Sequence, residues 1–160
     1  MTSAPDLPPR HVFLAPGAVY CAGTPALVTT ILGSCIAICL WDRRLRAGGI
    51  NHYVLPSGGA AGNLRYGNAA MARLFERMGA LGSRVDDLRA KVFGGAAVLP
   101  FGEEQTVGER NLQVALEGLR QRGIPVVAQR TGGESGLFLR FHTASGEVMV
   151  RALRRESPAA

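Results

Sequence analysis

Three side chains in this sequence have the types and spacing for covalent chemistry: a thiol at Cys35, an imidazole at His52, and a hydroxyl at Thr29, six residues ahead of the cysteine. Cys35 closes the segment Leu32-Gly33-Ser34-Cys35 and leads into the apolar run Ile36-Ala37-Ile38-Cys39-Leu40, while Asn51-His52 leads into Tyr53-Val54-Leu55. A glycine-serine turn permits positive φ and local side-chain bonding, which leaves backbone N–H groups available beside the residue that follows. Such groups lower a thiol pKa and can receive an oxyanion, so Gly33 and Ser34 are the expected oxyanion or site-supporting residues. If the two apolar runs are adjacent strands, Cys35 and His52 converge at their ends as nucleophile and base. A hydroxyl at Thr29 would then fix the tautomer of the imidazole.

Each of these residues also has an ordinary reading. A cysteine in an apolar run is usually a small buried hydrophobe, and threonine is common in strands for packing reasons. Cys39 cannot share the site if 35–40 is a strand, because four residues at about 3.3 Å each place it roughly 13 Å away. The same spacing disfavours a zinc site built from Cys35, Cys39 and His52, which a helix at 35–39 would restore. No metal and no cofactor is expected.

The elements that must position these groups begin with a sheet. Strands are expected at 11–14, 18–22, 27–31, 35–41 and 49–55, punctuated by Pro16-Gly17, Pro25, Gly33 and Gly48. Side chains alternate along a strand, so Thr30 is expected to face away from Thr29. The glycine-rich loop 57–62 reads as a connector. Met71, Leu74, Phe75 and Met78 then recur at helical spacing, with Asn68 as the expected cap and Gly79 as the stop. A strand over 88–93 ends in Gly94-Gly95, which allows close backbone approach. Thr106 and Glu109 form a capping-box pattern, opening a second helix marked by Leu112, Ala115, Leu116 and Leu119 and closed by Gly123. Arg110 and Asn111 in its first turn are not needed for capping and read either as solvated or as supporting a site. A short strand at 126–128 and a hairpin of 137–143 with 147–153 complete the set. These elements predict an α+β fold, a layered sandwich of mixed β-sheets with two main helices packed on one side.

The chain has 160 residues, which suits a single domain with about 70% of its unfolded surface buried. A disordered N-terminal tail is expected over 1–10 and one domain over 11–155. Three cysteines, the lack of a signal-peptide pattern, and no apolar run approaching 18 residues predict free thiols, a cytoplasmic location and no membrane insertion. Eighteen Lys and Arg against twelve Asp and Glu give a formal charge of +6, almost all of it arginine. These cations are scattered without interleaved aromatics, so no nucleic-acid partner is expected. Most belong to a solvated surface, and together they would steer the protein toward acidic partners.

The motifs taken in order resemble the CheD family of chemoreceptor glutamine deamidases over roughly residues 11–153. They are Pro16-Gly17, Thr29 with Leu32-Gly33-Ser34-Cys35, Asn51-His52-Tyr53-Val54-Leu55-Pro56, Arg65-Tyr66-Gly67 with Ala70-Met71, Lys91-Val92-Phe93-Gly94-Gly95-Ala96, Gly108-Glu109-Arg110-Asn111, and Thr131-Gly132-Gly133. The resemblance implies Cys35 as nucleophile, His52 as general base and Thr29 as the third member. It implies hydrolysis of glutamine side chains on the cytoplasmic helices of methyl-accepting chemotaxis receptors, and a CheC-type phosphatase as a partner. One departure stands out: where the family usually carries an arginine after its Gly-Gly-x-x-Gly segment, this chain has Leu137. Three other readings remain open: a non-catalytic receptor- or phosphatase-binding module, the zinc site, and another cysteine hydrolase such as a protease or methylesterase.

Overall fold

The computed structural model describes residues 8–97 and 105–154. Among the described residues, nine strands and two α-helices lie in the order β1 (Arg10–Phe13), β2 (Val19–Ala22), β3 (Ala26–Leu32), β4 (Ile36–Asp42), β5 (Ala47–Asn51), α1 (Gly67–Ala80), β6 (Leu88–Gly94), α2 (Val107–Gln121), β7 (Val126–Thr131), β8 (Leu137–His142) and β9 (Val148–Ala152). One sheet has the order β1-β3-β8-β9 and the other β2-β5-β4-β6-β7. Both are mixed: β1 runs parallel to β3 and β6 parallel to β7, the remaining pairs being antiparallel. Of the expected tail, residues 1–7 lie outside the described residues, and Arg10 already pairs with Ala26.

The layering follows from which faces are apolar. β4 is buried over Ile36-Ala37-Ile38-Cys39-Leu40, the continuous pattern of a strand covered on both sides. Ile36, Ile38 and Leu40 face the helices with Leu74, Met78 and Leu119, whereas Ala37 and Cys39 face the other sheet with Val28, Leu32, Leu139 and Phe141. Helices, five-stranded sheet and four-stranded sheet therefore stack as three layers, the two helices on one side as the periodicities predicted. Gly48 and Gly49 let β5 fit between layers: a Cβ on the first would collide with Thr143 O and Phe141, and on the second with Cys21, Leu74 and Met78. Leu137, the departure noted above, is a buried residue of the core between the sheets.

Two helix starts contrast. Thr106 caps α2 as expected, accepting from Glu109 N while the Glu109 carboxylate accepts from Thr106 N. Asn68 does not cap α1. The N-cap is Tyr66, and Asn68 lies inside the first turn, where its Oδ1 accepts from Gly58 N at 3.3 Å. No helix among the described residues is long and apolar enough to cross a membrane.

Candidate active site

The register between β4 and the segment after β5 brings Cys35 and His52 together. Ile36 and Tyr53 exchange both backbone hydrogen bonds, at 3.1 and 3.0 Å, so Val54 lies opposite Cys35 and Ala37 opposite His52. Cys35 and His52 are thus diagonal neighbours on one face of the pair, within side-chain reach. Cys35 is half-buried, and His52 is 1% exposed.

The loop between β1 and β2 grips the histidine. His52 N donates to Ala18 O at 3.2 Å, and His52 O accepts from Gly17 N at 2.7 Å. The ring is held by Thr30, whose Oγ1 lies 2.7 Å from His52 Nδ1 and donates its one proton to Leu14 O at 2.8 Å. With that proton committed, the hydroxyl can only accept from Nδ1, so we assign the proton to Nδ1 and the free lone pair to Nε2. Nε2 is buried and has no hydrogen-bond partner among the described residues. It is the acceptor a general base needs.

The expectation that Thr29 orients the imidazole is corrected. Ala26, Val28, Thr30 and Leu32 form the inward face of β3, and Thr29 is turned to the opposite face, in a row with Phe13 and Arg140. A shift of one residue in a strand exchanges its faces, and both faces of this one carry apolar side chains, so the pattern could not choose between the two threonines.

The turn carrying Cys35 is clamped from behind. Ala96 N donates to Gly33 O at 3.0 Å, and Gly95 N to Cys35 O at 2.9 Å. Gly94, at φ 108°, comes so close to Cys35 O that no Cβ would fit. Asn111 completes the clamp: its Nδ2 donates to Ser34 O and to Val54 O, both at 2.9 Å, and its backbone carbonyl accepts from Tyr53 Oη at 2.5 Å. This fully buried side chain ties the turn of Cys35 to the segment that follows His52. The sequence marked it only as not needed for the cap and as the last residue of the Gly108-Glu109-Arg110-Asn111 motif of the resemblance.

The electrostatics differ from the expectation of an acidic thiol. Burial, the largest effect, holds the Cys35 thiol above its ordinary pKa, opposed by its own backbone N–H, the Arg65 guanidinium and the Gly33 N–H. Burial likewise pushes the His52 imidazole down to about 4. Both groups are therefore neutral at rest. The other thiols are more strongly suppressed: burial pushes Cys21 up to about 12 and Cys39 further still. Cys39, inside β4, lies four residues from Cys35, and among the described residues no three of His, Cys, Asp and Glu gather as metal ligands.

An α+β sandwich presenting a cysteine beside a histidine with a defined tautomer has the parts of a cysteine hydrolase. The family model described as CheD chemotactic sensory transduction matches residues 54–152, starting just after His52. A protein of Rhodospirillum rubrum named probable chemoreceptor glutamine deamidase CheD is 56% identical over 144 residues, 89% of this chain and 82% of its own. Proteins of the same name from Trichlorobacter lovleyi and Sulfurimonas denitrificans are 40% and 36% identical, over 94% and 86% of this chain and 95% and 90% of theirs. The chain belongs to the CheD family.

Proposed function

We propose that this protein is a protein-glutamine deamidase acting on chemoreceptors in the cytoplasm, with Cys35 as nucleophile, His52 as base and Thr30 as the residue that orients the base. One observation carries the residue assignment: Thr30 commits its proton to Leu14 O, which leaves the lone pair of His52 on Nε2, on the face shared with Cys35. The names of the family relatives support the substrate class.

Because thiol and imidazole are both neutral at rest, attack begins with proton transfer. His52 Nε2 takes the Cys35 proton as sulfur bonds to the carboxamide carbon, and the carbonyl electrons move to oxygen. The N–H groups of Gly33 and Cys35, which favour negative charge on the sulfur, would receive that oxyanion. The carbon–nitrogen bond then breaks, the imidazolium protonates the departing nitrogen, and ammonia leaves a thioester. Water, deprotonated by the same Nε2, adds to the thioester, and the returning proton restores the thiol while glutamate remains on the receptor. The new carboxylate changes the charge of the receptor helices, which is how the reaction would tune signalling. A CheC-type phosphatase as partner and a single domain over 11–155 belong to the same proposal.

The test is peptide mass spectrometry of a receptor cytoplasmic fragment incubated with the protein. Wild type is expected to convert specific glutamines to glutamate, and Cys35→Ala to convert none while still binding the fragment. Conversion at the wild-type rate by folded Cys35→Ala would exclude this nucleophile. Binding without conversion by wild type would favour the non-catalytic module instead.

A further inference from the structure

The segment Arg65-Tyr66-Gly67 is not used by the mechanism, yet it borders the site, and two of its three residues have local packing roles. Gly67 starts α1 where a Cβ would collide with Pro56 O, Tyr53 and Val114. The Tyr66 ring covers Gly59, where no side chain would fit. Arg65 is left.

Its backbone carbonyl accepts from Val54 N at 2.8 Å and from Leu55 N at 2.9 Å, which places it beside the residue opposite Cys35. Its Cγ would lie 3.0 Å from a Cβ on Gly17, the residue whose N–H bonds His52 O. The aliphatic stem therefore rests on the loop that grips the base, while the residue as a whole is exposed. Its guanidinium makes no hydrogen bond or ion pair among the described residues. It also stands just before α1, whose first turn holds no acidic residue to offset the positive end of the helix. The cation's field reaches the thiol, where it favours the thiolate.

A pinned stem with a free guanidinium at the edge of a hydrolytic site is suited to holding an anion on the substrate. We propose that Arg65 is a specificity-determining residue that binds a carboxylate close to the target glutamine on the receptor helix. On a helix, residues three and four apart share a face, so an acidic side chain one turn from the glutamine would meet Arg65 when the glutamine meets Cys35. The inference rests on Cys35 being the nucleophile.

The experiment uses a receptor fragment whose converted glutamine has been mapped, and the same fragment with every Asp and Glu within one turn of that glutamine changed to Ala. Steady-state conversion is measured with wild type, Arg65→Gln, Arg65→Lys, and Arg43→Gln as a control for net charge. On the native fragment, Arg65→Gln is expected to raise KM about tenfold with kcat within about twofold, Arg65→Lys to recover part of the loss, and Arg43→Gln to match wild type. On the neutralised fragment, wild type should fall to the level of Arg65→Gln, and the substitution should cost nothing more. Equal losses on both fragments would mean that Arg65 acts only through the thiol, and no loss on either would mean that it binds nothing. Either result overturns the proposal, as does a mapped glutamine with no acidic residue within one turn. Absence of conversion by wild type would instead overturn the deamidase reading, and this inference with it.

Discussion

His52 and Cys35 sit side by side but in contrasting surroundings. The histidine is sealed, with its backbone held at both ends by the β1–β2 loop, its Nδ1 tied to Thr30, and almost no surface exposed. The cysteine is half-open on a glycine-serine turn, held by its carbonyls and not by its side chain. A base must keep one tautomer and one orientation through several proton transfers, which burial and two fixed partners secure. A nucleophile must be reached by a side chain from another protein, which requires an open face. A groove of about 600 Å³ between α1 and α2, lined by Met71, Phe75, Val114 and Gly118 among others, contains none of these groups. The proposed chemistry therefore lies where a receptor helix can present a glutamine, and not in that groove.

This contrast breaks most sharply at the threonines. Thr30→Val keeps shape but removes the hydroxyl that fixes the sealed base, and should lower kcat by roughly ten- to a thousandfold on a receptor fragment. Thr30→Ser should keep most of the activity, and Thr29→Val, on the far face, should change kcat by less than about twofold. Activity that follows Thr29 and ignores Thr30 would return the orienting role to the outer face.

Acid should break the sealed half next. A histidine with its folded pKa near 4 and an unfolded value near 6.5 is destabilising to protonate. The unfolded chain binds that proton first, so the stability associated with neutral His52 is fully present above about pH 6.5 and is lost as pH falls through about 4. The total loss is about 3 kcal/mol. Denaturant titrations across this window should show it for wild type, and His52→Gln should flatten the curve. An equally steep fall in the glutamine variant would place the titrating group elsewhere.

The smallest effect sharpens the open half. Cys35 should react with iodoacetamide faster than Cys21 and Cys39 in the folded protein, because burial suppresses its thiol less than it does theirs and Cys39 is in addition buried. Its rate should still be climbing at pH 9, since the resting thiol is neutral. A plateau already reached at pH 7 would reveal a preformed thiolate and contradict the neutral pair.

Much of this arrangement was legible in the sequence. Residue type and turn chemistry, together with the motifs of the family resemblance, pointed to Cys35 and His52, helical spacing and the Thr106–Glu109 box to both helices, and the short apolar runs to the two sheets. What escaped depended on register and on distant packing. Leu27 and Ile31 on one face of β3 rival Val28 and Leu32 on the other, so only tertiary contacts decide which threonine meets the imidazole. Asn68 has the chemistry of a cap, but its oxygen is taken by Gly58 N. Burial, invisible in residue order, outweighs the backbone N–H groups that suggested an acidic thiol. Arg65 stood out only as part of the Arg65-Tyr66-Gly67 motif, and its stem's place against Gly17 depends on a contact far away in the chain.

Asn111 has a consequence for how the site fails. Both hydrogens of its amide are committed, one to the Ser34 carbonyl beside Cys35 and one to the Val54 carbonyl beyond His52, and the residue is the fifth of α2, just inside its capped start. A transient opening of that helix start would release both carbonyls together while the sheets remain intact. Loosening of one helix end would therefore be enough to separate the proposed catalytic pair, and warming is expected to silence the site before it melts the protein.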